Sequence, residues 1–180
     1  MNITYKIFKK NDTKDNMLDN FDRYQDVKYC WRKVDGIWKL KNIEFIEQWD
    51  EKEKLEIIES LRETVSNKGF VYVALLDDKL LGFSSVESNL IGSKKQYAVL
   101  HHIYVSKEFR GQNIGKNLFD KSCEFARNIG ASLLYISAHS SEESQLFYRK
   151  MSCVDAKEID KELFELEPCD RHLEFDLHKK

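Results

Sequence analysis

Proline occurs once in the 180-residue chain and glycine seven times. No Pro- or Gly-rich linker divides it, and neither a repeat nor a low-complexity tract interrupts it. Long apolar runs are missing too, since no stretch approaches the roughly 20 residues a membrane-spanning helix needs. Cysteine is sparse: Cys30, Cys123, Cys153 and Cys169 form no C-x-x-C pair and share no regular spacing. They read as reduced packing thiols rather than a disulfide framework or zinc site. His101 and His102 are neighbours, but adjacent strand residues point to opposite faces, so no metal is expected. Neither sign of charge dominates, with 29 Lys and Arg against 31 Asp and Glu for a net charge of −2. No overall field therefore draws the chain to nucleic acid or a membrane surface. The opening MNITYKIFKKND has no apolar h-region and no cleavage site, and the expected location is cytoplasmic. The length suits one domain over 1–180 with a single sizeable core.

What is present alternates between strand and helix patterns. ITYKIFKK reads as a first strand and Asn16 to Phe21 as a short helix. YCWRKVDGIWKLKNIEF, at about 28–46, reads as a hairpin turning on Asp35-Gly36. From Asp50, a helix places Leu55, Ile58, Leu61 and Val65 on one face and ends at Gly69. Two apolar strands follow over 70–87 around the turn Asp77-Asp78, then the strand YAVLHHIYV. Ile114, Leu118, Phe125 and Ile129 mark a helix stopping near Gly130. SLLYISA reads as a strand buried on both faces. Ser140 and Glu143, at capping-box spacing, open a further helix. In HLEFDL, Leu173, Phe175 and Leu177 alternate as in a half-buried strand. The class is mixed α/β.

The stretch SKEFRGQNIGKNLF, between a strand and a helix, has the composition of an anion-binding turn: glycines admit close backbone approach, and a helix N-terminus carries partial positive charge. A Walker loop is excluded, because three residues rather than four separate Gly111 from Gly115-Lys116, and Asn117 follows where Ser or Thr is needed. The dinucleotide fingerprint G-x-G-x-x-G is absent as well. What remains is Arg/Gln-x-x-Gly-x-Gly/Ala. LHHIYVSKEFRGQNIGKNLFDKSCEFARNIGA followed by LLYISAHSSEESQLFYRKMSC resembles the central part of the GNAT acyltransferase superfamily, over roughly 97–155. FYRKMSC stands where members usually have F-Y-x-K-x-G-F. Asn113 replaces the loop's usual middle glycine, and asparagine tolerates positive φ better than other side chains. Ser152 replaces the glycine after the last helix, which implies a slightly different helix exit.

The resemblance implies a GNAT-like fold: a twisted, mostly antiparallel sheet with a parallel central pair, flanked by helices. It implies acetyl-CoA as co-substrate and no metal. The pyrophosphate would lie on the N–H groups of Gly111, Gln112, Asn113, Ile114, Gly115 and Lys116. Arg110 would add structure or charge, and Ile103, Tyr104 and Val105 would pair with the pantetheine arm. Ser141 stands where many members have an asparagine touching the cofactor. Direct attack by a free amine needs deprotonation, an oxyanion donor and help for the leaving thiolate. Tyr148 matches the tyrosine that protonates the thiolate, and His101 is the candidate base. The segment carrying Trp31, Trp38 and Trp49 would shape the acceptor pocket, with Glu44, Glu47 and Asp50 available to attract a cation. The acceptor is expected to be a small-molecule primary amine. A protein or peptide amine, or a non-catalytic acyl-CoA-binding module, are the alternatives. An edge strand at 171–177 would allow a homodimer.

Overall fold

A computed structural model of the chain describes residues 2–178. Along the chain run β1 (Thr4–Ile7), β2 (Gln25–Val34), β3 (Ile37–Glu47), α1 (Glu51–Ser66), β4 (Phe70–Leu76) and β5 (Lys79–Val86). Then come β6 (Tyr97–Val105), α2 (Ile114–Asn128), β7 (Leu133–Ala138), α3 (Glu142–Lys150), β8 (Val154–Asp155), α4 (Lys161–Leu166) and β9 (Arg171–Asp176). Seven strands form one sheet in the order β1-β4-β5-β6-β7-β9-β8, while β2 and β3 form a separate two-stranded sheet. Every pairing is antiparallel except β6 with β7. The expected mixed sheet with a parallel central pair is the one found. Among the described residues, no helix is long and apolar enough to cross a membrane.

Alternation along β4 and β5 supplies a core to each face of the sheet. Tyr72, Ala74 and Leu81 pack with Ile114, Leu118 and Phe119 of α2. Val71, Val73, Leu80 and Phe83 pack on the other face with Ile58 and Leu61 of α1. The buried face of α1 is Ile58, Leu61 and Thr64, rotated from the apolar stripe seen in the sequence, and Leu55 is left 53% exposed. Thr64 is drawn inward because its hydroxyl donates to Glu87 at 2.7 Å.

Asn16 to Phe21 does not form the expected helix. It is a series of turns closed by Met17 N–H to Lys14 O and Phe21 N–H to Leu18 O, both 3.1 Å. Burial of Leu18 and Phe21 in the α1-side core sets their conformation instead. The cap of α3 lies one residue later than expected, with Ser141 accepting from the Ser144 N–H. Ser152 takes φ of 64°, and Cys153 N–H reaches Tyr148 O at 3.0 Å. The helix therefore exits through the left-handed turn that glycine would make, not a different one. β9 is interior, paired with β7 along its length and with β8 at Leu173 and Glu174. This removes the edge-strand argument for a dimer. Its polar residues are buried with partners: Tyr97 donates to Glu174 at 2.6 Å, and Tyr135 shares a hydrogen bond with His172 at 2.7 Å.

Leu61 is fully buried in the α1-side core. Leu61→Ala should lower the unfolding free energy in urea by about 2–5 kcal/mol. Leu55→Ala should change it by no more than about 0.5 kcal/mol. Equal effects would contradict this orientation of α1.

Candidate active site

The sheet opens between its two parallel strands. β6 pairs with β7 only from Tyr97 to Leu100, although β6 runs on to Val105 and β7 to Ala138. Beyond Leu100, β6 stays bonded to β5 on its other side. Ser106 N–H donates to Leu81 O across that side. By antiparallel alternation, the main-chain groups of Ile103 and Val105 therefore face the opening, and those of Tyr104 face β5. Of the three residues expected to pair with a ligand arm, Ile103 and Val105 turn main-chain groups to the opening. Tyr104 contributes its side chain to the opposite wall, against Trp49 with ring centroids 4.8 Å apart.

At the end of β6, a 3-10 turn (Lys107–Phe109) leads into the glycine-bearing loop. Gly111 has φ of 75° and Asn113 φ of 63°, so the asparagine adopts the left-handed conformation of the glycine it replaces. Among the described residues, none of the six N–H groups from Gly111 to Lys116 donates to a backbone or side-chain acceptor. Unpaired donors converging at a helix N-terminus form an anion cradle, and they fit a pyrophosphate. Gly115 sits beneath α3, where an added Cβ would lie 3.2 Å from the Phe147 ring. Ile114 is buried, Gln112 donates to Glu108 O at 3.2 Å, and Lys116 pairs with Asp120. Arg110 does not reach out towards an anion. Its Nε donates to Val105 O at 3.1 Å and its Nη2 to Arg23 O at 3.0 Å, bracing the loop. Burial holds its pKa below the ordinary arginine value.

Tyr148, on α3, is 7% exposed, and its hydroxyl engages no protein partner among the described residues. Burial, with Tyr104, Cys153 and Asp170 adding to it, pushes its pKa well above the usual phenol value. It keeps its proton and is available as a donor. Ser141 is engaged differently: its oxygen caps α3 and accepts from Gln25 Nε2 at 3.2 Å.

A β-bulge separates the Ser85–His102 and Val86–Leu100 pairs, leaving His101 as the extra residue. Strict alternation would have put the two histidines on opposite faces. The bulge instead brings their rings to 4.4 Å. Both line an open groove of about 250 Å3 with Trp49, Glu53, Glu56, Ile57 and Ser60. His101 Nδ1 lies 3.6 Å from Glu87. His102 Nε2 shares a hydrogen bond with Ser60 Oγ at 3.0 Å, and burial beside His101 pushes His102 down to about 3.

The β2–β3 hairpin closes the other side. Trp31 N–H donates to Ser140 O at 2.7 Å, joining the hairpin to the start of α3. Trp31 and Trp38 lie over Arg171, at 6.0 and 5.0 Å, so they dock the hairpin on the body rather than line the groove. Asp50 caps α1, and Glu44 pairs with Lys28 at 3.6 Å. Of the three acidic residues only Glu47 turns to the site, 3.6 Å from His139. Sequence reading missed His139, Arg23 and Asp170, none of which carries a motif. Burial lowers the His139 pKa and raises that of Asp170 to about 7, with Glu167 adding to the latter.

Comparison with known proteins agrees with this geometry. The Acetyltransferase (GNAT) family profile matches residues 34–152, more than half of the chain. An uncharacterized N-acetyltransferase of Methanocaldococcus jannaschii is 25% identical over 168 residues, covering 87% of this chain and 63% of the relative. Another from Archaeoglobus fulgidus is 31% identical over 86 residues, or 46% of this chain and 58% of the relative. The matches thus span about three-fifths of each curated relative. Nourseothricin acetyltransferase superimposes with a TM-score of 0.70 at 18% identity, covering 97% of this chain and 96% of its own. The PaiA N-acetyltransferase of Thermoplasma acidophilum, solved with coenzyme A, gives 0.62 at 16% identity, covering 98% and 99%. At such identities the structural likeness establishes the fold, and with the family match it shows that the chain belongs to the GNAT acetyltransferase family.

Proposed function

We propose that the chain is an acetyl-CoA-dependent N-acetyltransferase whose acceptor is the primary amine of a small molecule. The observation that carries this reading is the row of six unpaired N–H groups, Gly111 to Lys116, beside an opening in the sheet. Acetyl-CoA, when bound, supplies a thioester as the electrophile. The loop amides would hold its pyrophosphate, and the main-chain groups of Ile103 and Val105 its pantetheine arm, as an added strand pairs with a sheet edge. Coenzyme A has been solved bound to a structural neighbour, which supports the choice of ligand.

Tyr148 would donate its phenolic proton to the departing thiolate. Its hydroxyl is free of protein partners, but the raised pKa makes it a weak acid, so the donation is uphill and depends on the thiolate being in contact with it. An ammonium acceptor must first lose a proton. His101 would take it at Nε2, with Nδ1 turned to Glu87. His102, unprotonated and bonded to Ser60, would shape the groove beside it.

Titration calorimetry tests the binding step: acetyl-CoA should bind saturably. Asn113→Asp, which keeps a residue tolerant of positive φ but adds a negative charge among the amides, should weaken binding at least about 10-fold. A like charge about 4 Å from a phosphate costs on the order of 1–4 kcal/mol. Unchanged affinity would remove the loop from the site. Tyr148→Phe should lower kcat about 100-fold while leaving acetyl-CoA affinity intact, and an unaltered kcat would exclude the tyrosine.

The neutral state of His102 has its own test. Its folded pKa is depressed to about 3, whereas the unfolded imidazole titrates near ~6.5. The unfolded chain therefore binds more protons between those values, and stability falls as pH drops through ~6.5 towards 3, by at most about 1.4 kcal/mol per pH unit. His102→Gln should flatten the pH 7 to 5 segment of the stability curve, and an unchanged slope would place the histidine in solvent.

A further inference from the structure

Two arginines meet beside the opening and are used in different ways. Arg110 has both Nε and Nη2 on carbonyl oxygens. Arg23, only 7% exposed, donates through Nη1 to Gln25 Oε1 at 3.0 Å. Its Nε is buried with no acceptor, and no acceptor meets Nη2 among the described residues. Nε and Nη2 form the edge of the guanidinium that matches the two oxygens of a carboxylate. A charge buried this far is unfavourable without a counter-ion, yet Arg23 forms no ion pair among the described residues.

The residue is also held firmly. Asp22 N–H donates to Ser106 Oγ at 3.0 Å, Lys107 N–H to Asp22 O at 2.8 Å, and Arg110 to the Arg23 carbonyl. The head lies 5.2 Å from the Tyr104 ring and 5.8 Å from that of Trp49, the residue that walls the histidine groove. Tyr104 packs with the α1-side core, whereas Ile114 of the anion loop belongs to the α2-side core. The Arg23 head is thus on the α1 side of the sheet and not among the phosphate donors.

We propose that Arg23 binds the carboxylate of the acceptor through Nε and Nη2, so that the amine acetylated here belongs to an amino carboxylate such as an amino acid. This rests on the acetyltransferase reading above. A carboxylate suits the place better than a phosphate because Glu47 lies nearby, where it opposes a second negative charge and favours an ammonium next to the first. Glu47 stands opposite Gln25 in the hairpin register, one link from Arg23. A zwitterion would place its carboxylate on the arginine and its ammonium towards Glu47 and the histidine groove.

The test supplies the full chain with acetyl-CoA and follows thiol release with the proteinogenic amino acids and ω-amino acids, each beside its decarboxylated amine. At least one free amino carboxylate should be turned over with kcat/KM about 100-fold above its decarboxylated partner. Arg23→Gln should collapse that preference to within about threefold at unchanged acetyl-CoA affinity, and Arg23→Lys should restore part of it. In parallel, the Nε–Hε resonance of Arg23 is followed in the wild-type chain with coenzyme A present. Free amino acids should displace it saturably, and their methyl esters should not. Amines lacking a carboxylate acetylated as well as their counterparts would overturn the proposal and leave the acetyltransferase reading intact. Failure of acetyl-CoA to bind would instead sink that reading. Should no amine release thiol, the resonance decides: displacement by amino acids alone supports the carboxylate site, and no displacement overturns it.

Discussion

The parting of β6 from β7 after Leu100 and Ile136 is the constraint around which the rest of the structure is arranged. Each strand keeps its outer partner, β5 for one and β9 for the other, so the sheet opens without fraying. The gap leaves the main-chain groups of Ile103 and Val105 without a strand to pair with, and such groups need partners. Arg110 satisfies the Val105 carbonyl, and the remaining groups are free for an extended ligand. The same gap lets the loop after β6 and the N-terminus of α2 present their amides beside it.

Around the opening, the two faces of the sheet divide the work. The α2 side carries the anion cradle, and Gly115 lets α3 and its Phe147 pack closely beneath the loop. The α1 side carries Trp49, Tyr104 and the two histidines. Tyr148 bears on both, since it belongs to the α2-side core and feels the charges that surround Tyr104. The hairpin adds no layer to the main sheet. It is bonded to the first turn of α3 through Trp31, Gln25 and Arg32, closing the site over Ser140 and Ser141.

Much of this was legible in the residues. Asp35-Gly36 adopts φ of 53° and 78°, the paired positive values that a two-residue hairpin requires. Gly111 and Gly115 announced the turn that opens α2, and the left-handed tolerance of asparagine explains why Asn113 fits there. Other features had no local signal. The bulge at His101 follows from how β5 and β6 pair, which strand periodicity cannot express. β9 looked half-buried because Leu173 and Phe175 alternate, but Glu174 and His172 are buried too, each with a tyrosine partner that lies far away in sequence. α4 has a capping Asp160 but buries no residue, so no apolar stripe announced it. Arg23 carries no motif, and only the placement of Trp49 and Tyr104 beside it marks it out.

The central claim is that the free amides of the loop and of β6 hold an acyl-CoA. Amide hydrogen exchange, resolved residue by residue with and without acetyl-CoA, tests it directly. The account predicts that exchange at Gly111 to Lys116, and at Ile103 and Val105, slows on addition of acetyl-CoA, while Tyr104, already bonded to β5, changes little. Unaltered exchange at these amides, with protection appearing elsewhere in the chain, would contradict it.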